Sequence, residues 1–333
     1  MIISRTPFRI SFFGGGTDFP EFFRNHGGAV LSTTINKYCY ISVHHLTPFF
    51  KHRFRASYSR TESVLTPNEF EHPLIRETLL FLNQQDGIEI SHVADLPGQT
   101  GLGSSSAFTV GLLNALHAFR GERATPEILA RQAILVERER VGDAGGWQDQ
   151  YAAAYGGFRR INFAGDRPVE IQSIGANAEC LHELERSLLL FFMGTECSAE
   201  CILREQASRA VANKSALLNM LQMVDDAEQI LTDGGDLAAF GRLMHESWML
   251  KRSLSSGVSN PSIDQAYETA RSAGAIGGKI LGAGGRGFLC LYVEPPRQAA
   301  VREKLKELNE VVFRFSPEGS RIIFQGDSES MVM

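Results

Sequence analysis

The stretch Leu96-Pro-Gly-Gln-Thr-Gly-Leu-Gly-Ser-Ser-Ser-Ala-Phe108 sets three glycines and three serines directly ahead of an apolar, helix-forming segment. Gly98, Gly101 and Gly103 open backbone conformations closed to other residues, so several N–H groups can converge on one anion. The segment Ala107 to Phe119 begins a helix whose free N–H groups and positive dipole end face the same point. The chemistry this suits is phosphate binding. No lysine stands in the loop, so the Walker A pattern is not met and groups elsewhere in the chain must balance the charge.

Three of the carboxylates beyond that loop are candidates for the chemistry. Glu137 and Glu139 stand near the end of a helical stretch, where a carboxylate is ordinarily a solvated charge. Asp149, flanked by Trp147, Gln148 and the alanine run 152–154, sits in a partly apolar place where an unpaired charge is costly. Phosphoryl transfer needs a cation on the phosphates, a group that orients or deprotonates the acceptor hydroxyl, and positive charge for the developing negative oxygens. Ser105, Glu139, Asp149 and Arg9 are the candidates to supply those functions together. Two further glycine clusters, Gly14 to Gly16 and Gly277 to Gly287, frame the chain; the first alone reads as a bend, without the full G-x-G-x-x-G fingerprint.

These groups require a scaffold. The 333 residues exceed the usual size of one hydrophobic core, so two domains are expected, and 43% hydrophobic residues suffice for both. Strand patterning marks Ile2 to Phe13 and Ala29 to His44; Arg53 to Thr66 reads as a hairpin or a loop, Pro73 to Asn83 as a helix, and Ile88 to Ala94 as the strand feeding the glycine loop. After the loop's helix, Thr125 caps and Pro126 opens a second helix that runs to Arg140. Phe158 to Phe163 resumes strand character, and a polar connector over 165–177 sets the domain boundary, giving 1–175 and 176–333. Beyond it come a strand from Ser187 to Phe192, one long helix from Ser198 to Leu231, and helices Asp236 to Ser253 and Ile263 to Ser272. Strand Phe288 to Val293, helix Arg297 to Leu308 and strand Val311 to Phe315 complete an α+β sandwich.

A formal charge of −5 offers no basic field for nucleic acid, and no run approaches the roughly 18 apolar residues of a membrane span. Five cysteines, odd in number and without disulfide or zinc spacing, suit a reducing compartment. Cys197 and Cys201, four apart, read as buried thiols rather than a metal pair. The expectation is a soluble cytoplasmic protein whose partner is a small molecule, with neither nucleic acid nor membrane as partner.

Taken in order, Thr6-Pro-Phe-Arg-Ile-Ser-Phe-Phe-Gly-Gly-Gly-Thr-Asp18, Pro97 to Ala107 and Lys279 to Gly287 resemble the three motifs of the GHMP-superfamily small-molecule kinases. Gly-Gly-Gly-Thr-Asp in the first motif, the run Gly146 to Gly157, and His245 to Ser255 followed by Asn260-Pro-Ser-Ile-Asp264 most resemble the D-glycero-D-manno-heptose 7-phosphate kinases of that superfamily. The resemblance implies an α+β, two-domain fold, with an N-terminal half like ribosomal S5 domain 2 and a ferredoxin-like C-terminal α/β sandwich, and ATP and sugar bound between them. It implies Asp149 as the catalytic aspartate, Arg9 as the fixed positive charge of motif one, and Ser105 with Glu139 as magnesium ligands. ATP would lie on Pro97, Gly98, Gly101, Leu102, Gly103, Ser104, Ser105 and Ser106. Sugar would meet Gly15, Gly16, Thr17 and Asp18, with Gly284, Gly285 and Lys251. The implied reaction is ATP- and Mg²⁺-dependent phosphorylation of the anomeric hydroxyl to the 1,7-bisphosphate, on the way to nucleotide-activated heptose.

A phosphate already on the acceptor needs cationic partners, for which Lys251, Arg252, Lys279, Arg53 and Arg55 are candidates, Lys251 first. Arg286 departs from the family's glycine run, and either crowds that turn or reaches a phosphate of one ligand. Phe12, Phe13, Phe19, Phe22 and Phe23 read as core or cleft lining. Two rival functions are a kinase for an unphosphorylated sugar such as fucose or galactose, and a catalytically silent sensor on the same fold.

Overall fold

The computed structural model describes residues 1–194, 199–209 and 212–326. Its first layer is built on two long antiparallel strands, β1 (Ile2–Phe13) and β2 (Gly28–His45), whose register runs from Ile2 opposite Val43 to Phe13 opposite Leu31. Between them the glycine bend and α1 (Pro20–His26) turn the chain. The segment read as hairpin or loop is a hairpin, β3 (Phe54–Ser57) and β4 (Thr61–Val64). β5 (Ile88–Ala94) lies parallel to β3 and antiparallel to β2, and β6 (Phe158–Phe163) extends the sheet from the start of β2 to β7 (Glu170–Ser173).

Helices α2 (Pro73–Phe81), α3 (Ser104–Phe119), α4 (Pro126–Ile134) and α5 (Gln148–Tyr155) accompany this sheet. α3 is buried from Ser106 to His117 because it packs on β1 and β2 while α4 and α5 cover it, which is why its sequence is apolar all round rather than striped. Thr125 caps α4, its Oγ1 accepting from the Ile128 N–H at 3.3 Å. The helix continues towards Arg140 as a π-helical segment, Leu135–Val141, rather than as the α-helix expected.

The second layer is a four-stranded antiparallel sheet in the order β11-β8-β10-β9, formed by β8 (Leu188–Phe192), β9 (Gly277–Ile280), β10 (Phe288–Tyr292) and β11 (Asn309–Glu310). Its helices are α6 (Ala178–Arg186), α7 (Ala199–Ser208), α8 (Lys214–Thr232), α9 (Leu237–Leu254), α10 (Pro261–Ala273) and α11 (Pro295–Lys304). The single long helix expected over 198–231 is thus two, and Asn213, at the start of α8, donates to the Leu254 carbonyl at the end of α9 at 3.0 Å.

The chain then crosses back. β12 (Phe315–Ser316) pairs with β2, and β13 (Arg321–Gln325), a strand the sequence reading lacked, pairs with β1. The boundary placed at 175/176 falls between β7 and α6, and these last strands return over it to the first sheet. One apolar core joins the layers: Phe240 of α9 meets Phe12 and Phe13 edge-on, with ring centroids 5.4 and 5.1 Å apart. Among the described residues no helix is long and apolar enough to cross a membrane.

Candidate active site

A cleft of about 830 Å³ opens where the two layers meet. At its floor the central and C-terminal glycine loops touch. Gly101 (φ +80°) and Gly282 (φ +70°) both adopt left-handed backbone, and a Cβ on either would strike the other loop's backbone. Arg9 of β1, nearly buried, donates through Nη1 to the Gly101 carbonyl at 2.6 Å and through Nε and Nη2 to the two Asp149 oxygens, each at 2.7 Å. Asp149 stands in the first turn of α5, and its side chain is 25% exposed to the cleft. The fork fixes the carboxylate while each oxygen keeps a second lone pair.

Around this pair lie three more buried charges. Asp18 accepts from the Gly16 N–H at 2.9 Å and the Gln148 N–H at 3.3 Å; burial raises its carboxyl above the usual range, and those amides oppose the rise. Lys251, in the last turn of α9, donates to the Gly282 carbonyl, and burial, then Arg9, bring its ammonium down to about 8. Lys279 of β9 donates to the Phe12 carbonyl at 2.7 Å, and burial pulls it well below the ordinary lysine value.

Directly against the Arg9–Asp149 pair, α3 begins at Gly103 with no side chain capping it, so its first-turn N–H groups face the cleft with Ser104 and Ser105. Gln99, a non-glycine residue at φ +60°, is held there by its N–H bond to Ser104 Oγ at 2.9 Å. Beneath, Ser106 Oγ and Gln150 Nε2 donate to Glu137 Oε2 at 2.9 and 2.5 Å, while Glu137 Oε1 has no hydrogen-bond partner among the described residues. Burial pushes Glu137 up to about 7. A hard cation that retains waters and takes phosphate oxygens needs only one or two protein oxygens, and the orphaned Oε1 beside the serine hydroxyls fits Mg²⁺. Among the described residues no cluster of three or more acidic, His or Cys side chains offers an all-protein cage.

Glu139, the carboxylate expected as metal ligand, is exposed and outside the cleft lining, so Glu137 takes its place in the geometry. A signal for this was present: Ala130, Ala133 and Ile134 mark the buried face of α4, and the helical period carries that face to residue 137, not 139. Also missed was the far end of the cleft, where Tyr58, His72, His92 and Phe108 form an aromatic wall. The His72 ring lies 4.8 Å from Tyr58 and 5.2 Å from Phe108, and His92 meets Phe108 edge-on at 5.1 Å. Burial lowers both histidines, favouring the neutral rings.

The structure places other expected residues as scaffold. Thr17 is fully buried, with Oγ1 donating to the Gly14 and Ala29 carbonyls at 2.8 and 2.9 Å; it closes the first glycine bend instead of meeting sugar. Leu102 is also fully buried, and its carbonyl accepts the Arg9 N–H at 3.0 Å. Pro97 lies outside the lining, its carbonyl accepting from Thr100 Oγ1 at 3.0 Å, and Gly285 likewise spends its N–H on the Val258 carbonyl at 2.8 Å. Gly15, Gly16, Gly98 and Gly284 do line the cleft. Of the candidate phosphate cations, Arg55 is forked on Glu89, Arg53 donates one bond to the Gln85 carbonyl and Arg252 one to Asp264, and none of the three lines the cleft. Arg286 is buried in the lining and donates to Gln99 Oε1 at 3.3 Å, spanning the two glycine loops. The five early phenylalanines are buried, and Phe19 alone among them lines the cleft. Cys197 and the Cys201 side chain lie outside the described residues.

Two family models match, the GHMP kinases N terminal domain over residues 73–157 and the GHMP kinases C terminal domain over residues 223–311, together just over half the chain. D-glycero-alpha-D-manno-heptose 7-phosphate kinase of Campylobacter jejuni is 28% identical over 331 residues, covering 96% of this chain and 97% of its own. The bifunctional fucokinase/GDP-fucose pyrophosphorylase of Arabidopsis thaliana is 26% identical over 74% of this chain, which spans only 24% of that longer protein. Among solved structures, a D-glycero-D-manno-heptose 1-phosphate kinase from Bacteroides thetaiotaomicron superposes with a TM-score of 0.80 at 26% identity, covering 98% of this chain and 100% of that one.

Proposed function

The chain belongs to the GHMP kinases, small-molecule kinases that move a phosphate to a hydroxyl, and we propose that its acceptor is the anomeric hydroxyl of D-glycero-D-manno-heptose 7-phosphate, with ATP as donor. The observation that carries the proposal is the Arg9–Asp149 fork at the junction of the glycine loops, facing the uncapped start of α3. A nucleotide phosphate chain fits the N–H groups of Gly103 to Ser106, and the aromatic wall of Tyr58, His72, His92 and Phe108 suits a planar base. A polyhydroxylated acceptor fits the other end, where Asp18 and Gln148 lie.

In the step itself, the acceptor oxygen forms a bond to the γ-phosphorus as the bond from that phosphorus to the ADP oxygen breaks. Asp149 takes the hydroxyl proton, and ADP leaves with its negative charge. Arg9 holds the Asp149 carboxylate in place and presents fixed positive charge to the moving phosphoryl group. Glu137, with Ser106 and the neighbouring Ser104 and Ser105 hydroxyls, would hold Mg²⁺. When bound, that ion neutralises nucleotide phosphate charge.

The heptose phosphate is favoured by the C. jejuni relative, which aligns over nearly the whole of both chains. An unphosphorylated sugar is the second reading, supported by the partial match to the fucokinase. ADP release with ATP and Mg²⁺ over heptose 7-phosphate, heptose 1-phosphate, mannose, fucose and galactose separates them. Heptose 7-phosphate should give the highest kcat/KM by at least tenfold; a free sugar in that position would overturn the acceptor.

A further inference from the structure

We propose that Lys251 is a catalytic residue, a second cation that holds the transferred phosphoryl group from the C-terminal side of the cleft, across from Arg9. The proposal rests on the cleft being a phosphoryl-transfer site, and it moves Lys251 from the acceptor's distant phosphate to the reacting centre.

Position carries it. Arg9 Nη1 bonds the Gly101 carbonyl and Lys251 Nζ bonds the Gly282 carbonyl, and these glycines are the points where the two loops touch. The two cations therefore flank one backbone junction. The groups facing Lys251 are Arg9 from β1, Asp18 from the bend after β1, Asp149 from α5 and Lys279 from β9. All belong to the transfer centre or its immediate wall. An acceptor with O1 at Asp149 carries its C7 phosphate at the far end of the sugar, away from this group.

Charge balance points the same way. Both Asp149 oxygens are engaged by the Arg9 fork, and Asp18 is engaged by backbone amides. Lys251 is 5% exposed and makes no ion pair among the described residues; the Gly282 carbonyl accepts one of the three donor hydrogens of its ammonium. Arg9, Lys251 and Lys279 thus face two carboxylates already engaged; a buried ammonium without an ion pair is costly, and a phosphoryl group between Arg9 and Lys251 relieves that cost as charge shifts onto its oxygens. Lys251 remains protonated throughout: the acceptor proton passes to Asp149, and the ammonium hydrogens only change acceptors. Because burial brings it to about 8, the group is charged below that pH and loses its proton as pH rises through it.

The test compares wild type, Lys251→Met and Lys251→Arg, with ATP, Mg²⁺ and whichever acceptor turns over fastest, across neutral to alkaline pH. Lys251→Met should lower kcat by about 100-fold or more with both KM values changed less than about threefold. Lys251→Arg should keep a larger share of kcat and lose the alkaline fall, since guanidinium stays charged. Calorimetric binding of ADP with aluminium fluoride and Mg²⁺, a mimic of the moving phosphoryl group, should weaken at least tenfold in Lys251→Met while ADP alone binds as in wild type. A Lys251→Met enzyme with unchanged kcat and a raised KM for phosphorylated acceptors alone would overturn the proposal in favour of an acceptor-phosphate site. Unchanged kcat and fluoroaluminate affinity with a lower Tm would overturn it in favour of a structural role. Wild-type inactivity on every acceptor would overturn the proposed function, and the fluoroaluminate comparison would then decide the role of Lys251 by itself.

Discussion

In the proposed reaction the chemistry turns on Asp149, the carboxylate that both meets the cleft and is held by a fork with 2.7 Å contacts. Asp149→Asn keeps the shape and removes the base, so kcat should fall by about 10²–10⁴ while ADP affinity, measured by calorimetry, stays within a few-fold. Glu137 yields a prediction of a different kind. Its folded-state value of about 7 lies above the ordinary 4.5, so the stability it contributes is present below pH 4.5 and is lost as pH rises through 7. Without divalent cation, Tm should fall from pH 5 to pH 8, and Glu137→Gln should flatten that slope. Mg²⁺ should raise Tm more at pH 8, where it need not displace a proton. Arg9 was legible from its place in the first motif, and Asp149 from its partly apolar setting beside Trp147 and the alanine run 152–154. Glu137 was not, because two glutamates two positions apart look alike until the buried face of their helix is followed through Ala133 and Ile134.

Elements explain why these side chains arrive together. The strands and helices around the glycine loop could be read because their edges carry strong signals: Thr125 and Pro126 at α4, Gly14 after β1, and the glycine run ahead of α3. Segments without such marks were misread. The helix break before α8 and the short, mostly exposed strand β13 at the edge of the sheet depend on partners distant in the chain, Leu254 and β1 respectively. The π-helical segment carries the chain through Glu137 to Gly142, and Gly142 closes it in left-handed backbone. At the loop junction, Gly101→Ala must adopt φ near +80° and push against the Leu281 carbonyl. It should lower stability by about 1–3 kcal/mol, read as a shifted urea midpoint, and reduce kcat by separating the loops that Arg9 and Lys251 flank.

At the scale of the whole molecule, the two sheets share one core and one cleft. Phe240 contributes to that core, and replacing it with Ala removes a fully buried ring against Phe12 and Phe13, at a cost of about 3–5 kcal/mol. Calorimetry should show both halves unfolding in a single transition at lower temperature; two separated transitions would contradict a shared core. That shared core sets the glycine-serine loop of one half against the glycine loop of the other, and the proposed donor and acceptor sites adjoin at Asp149. Transfer to the anomeric oxygen of a sugar that already bears a phosphate can be read by proton–phosphorus correlated NMR of the product made from heptose 7-phosphate and ATP. The product should show two phosphomonoester signals, the retained one at C7 and a new one coupled to the anomeric proton; a new phosphorus coupled to any other ring proton, or ADP formed with no second phosphate on the sugar, would rule out anomeric transfer.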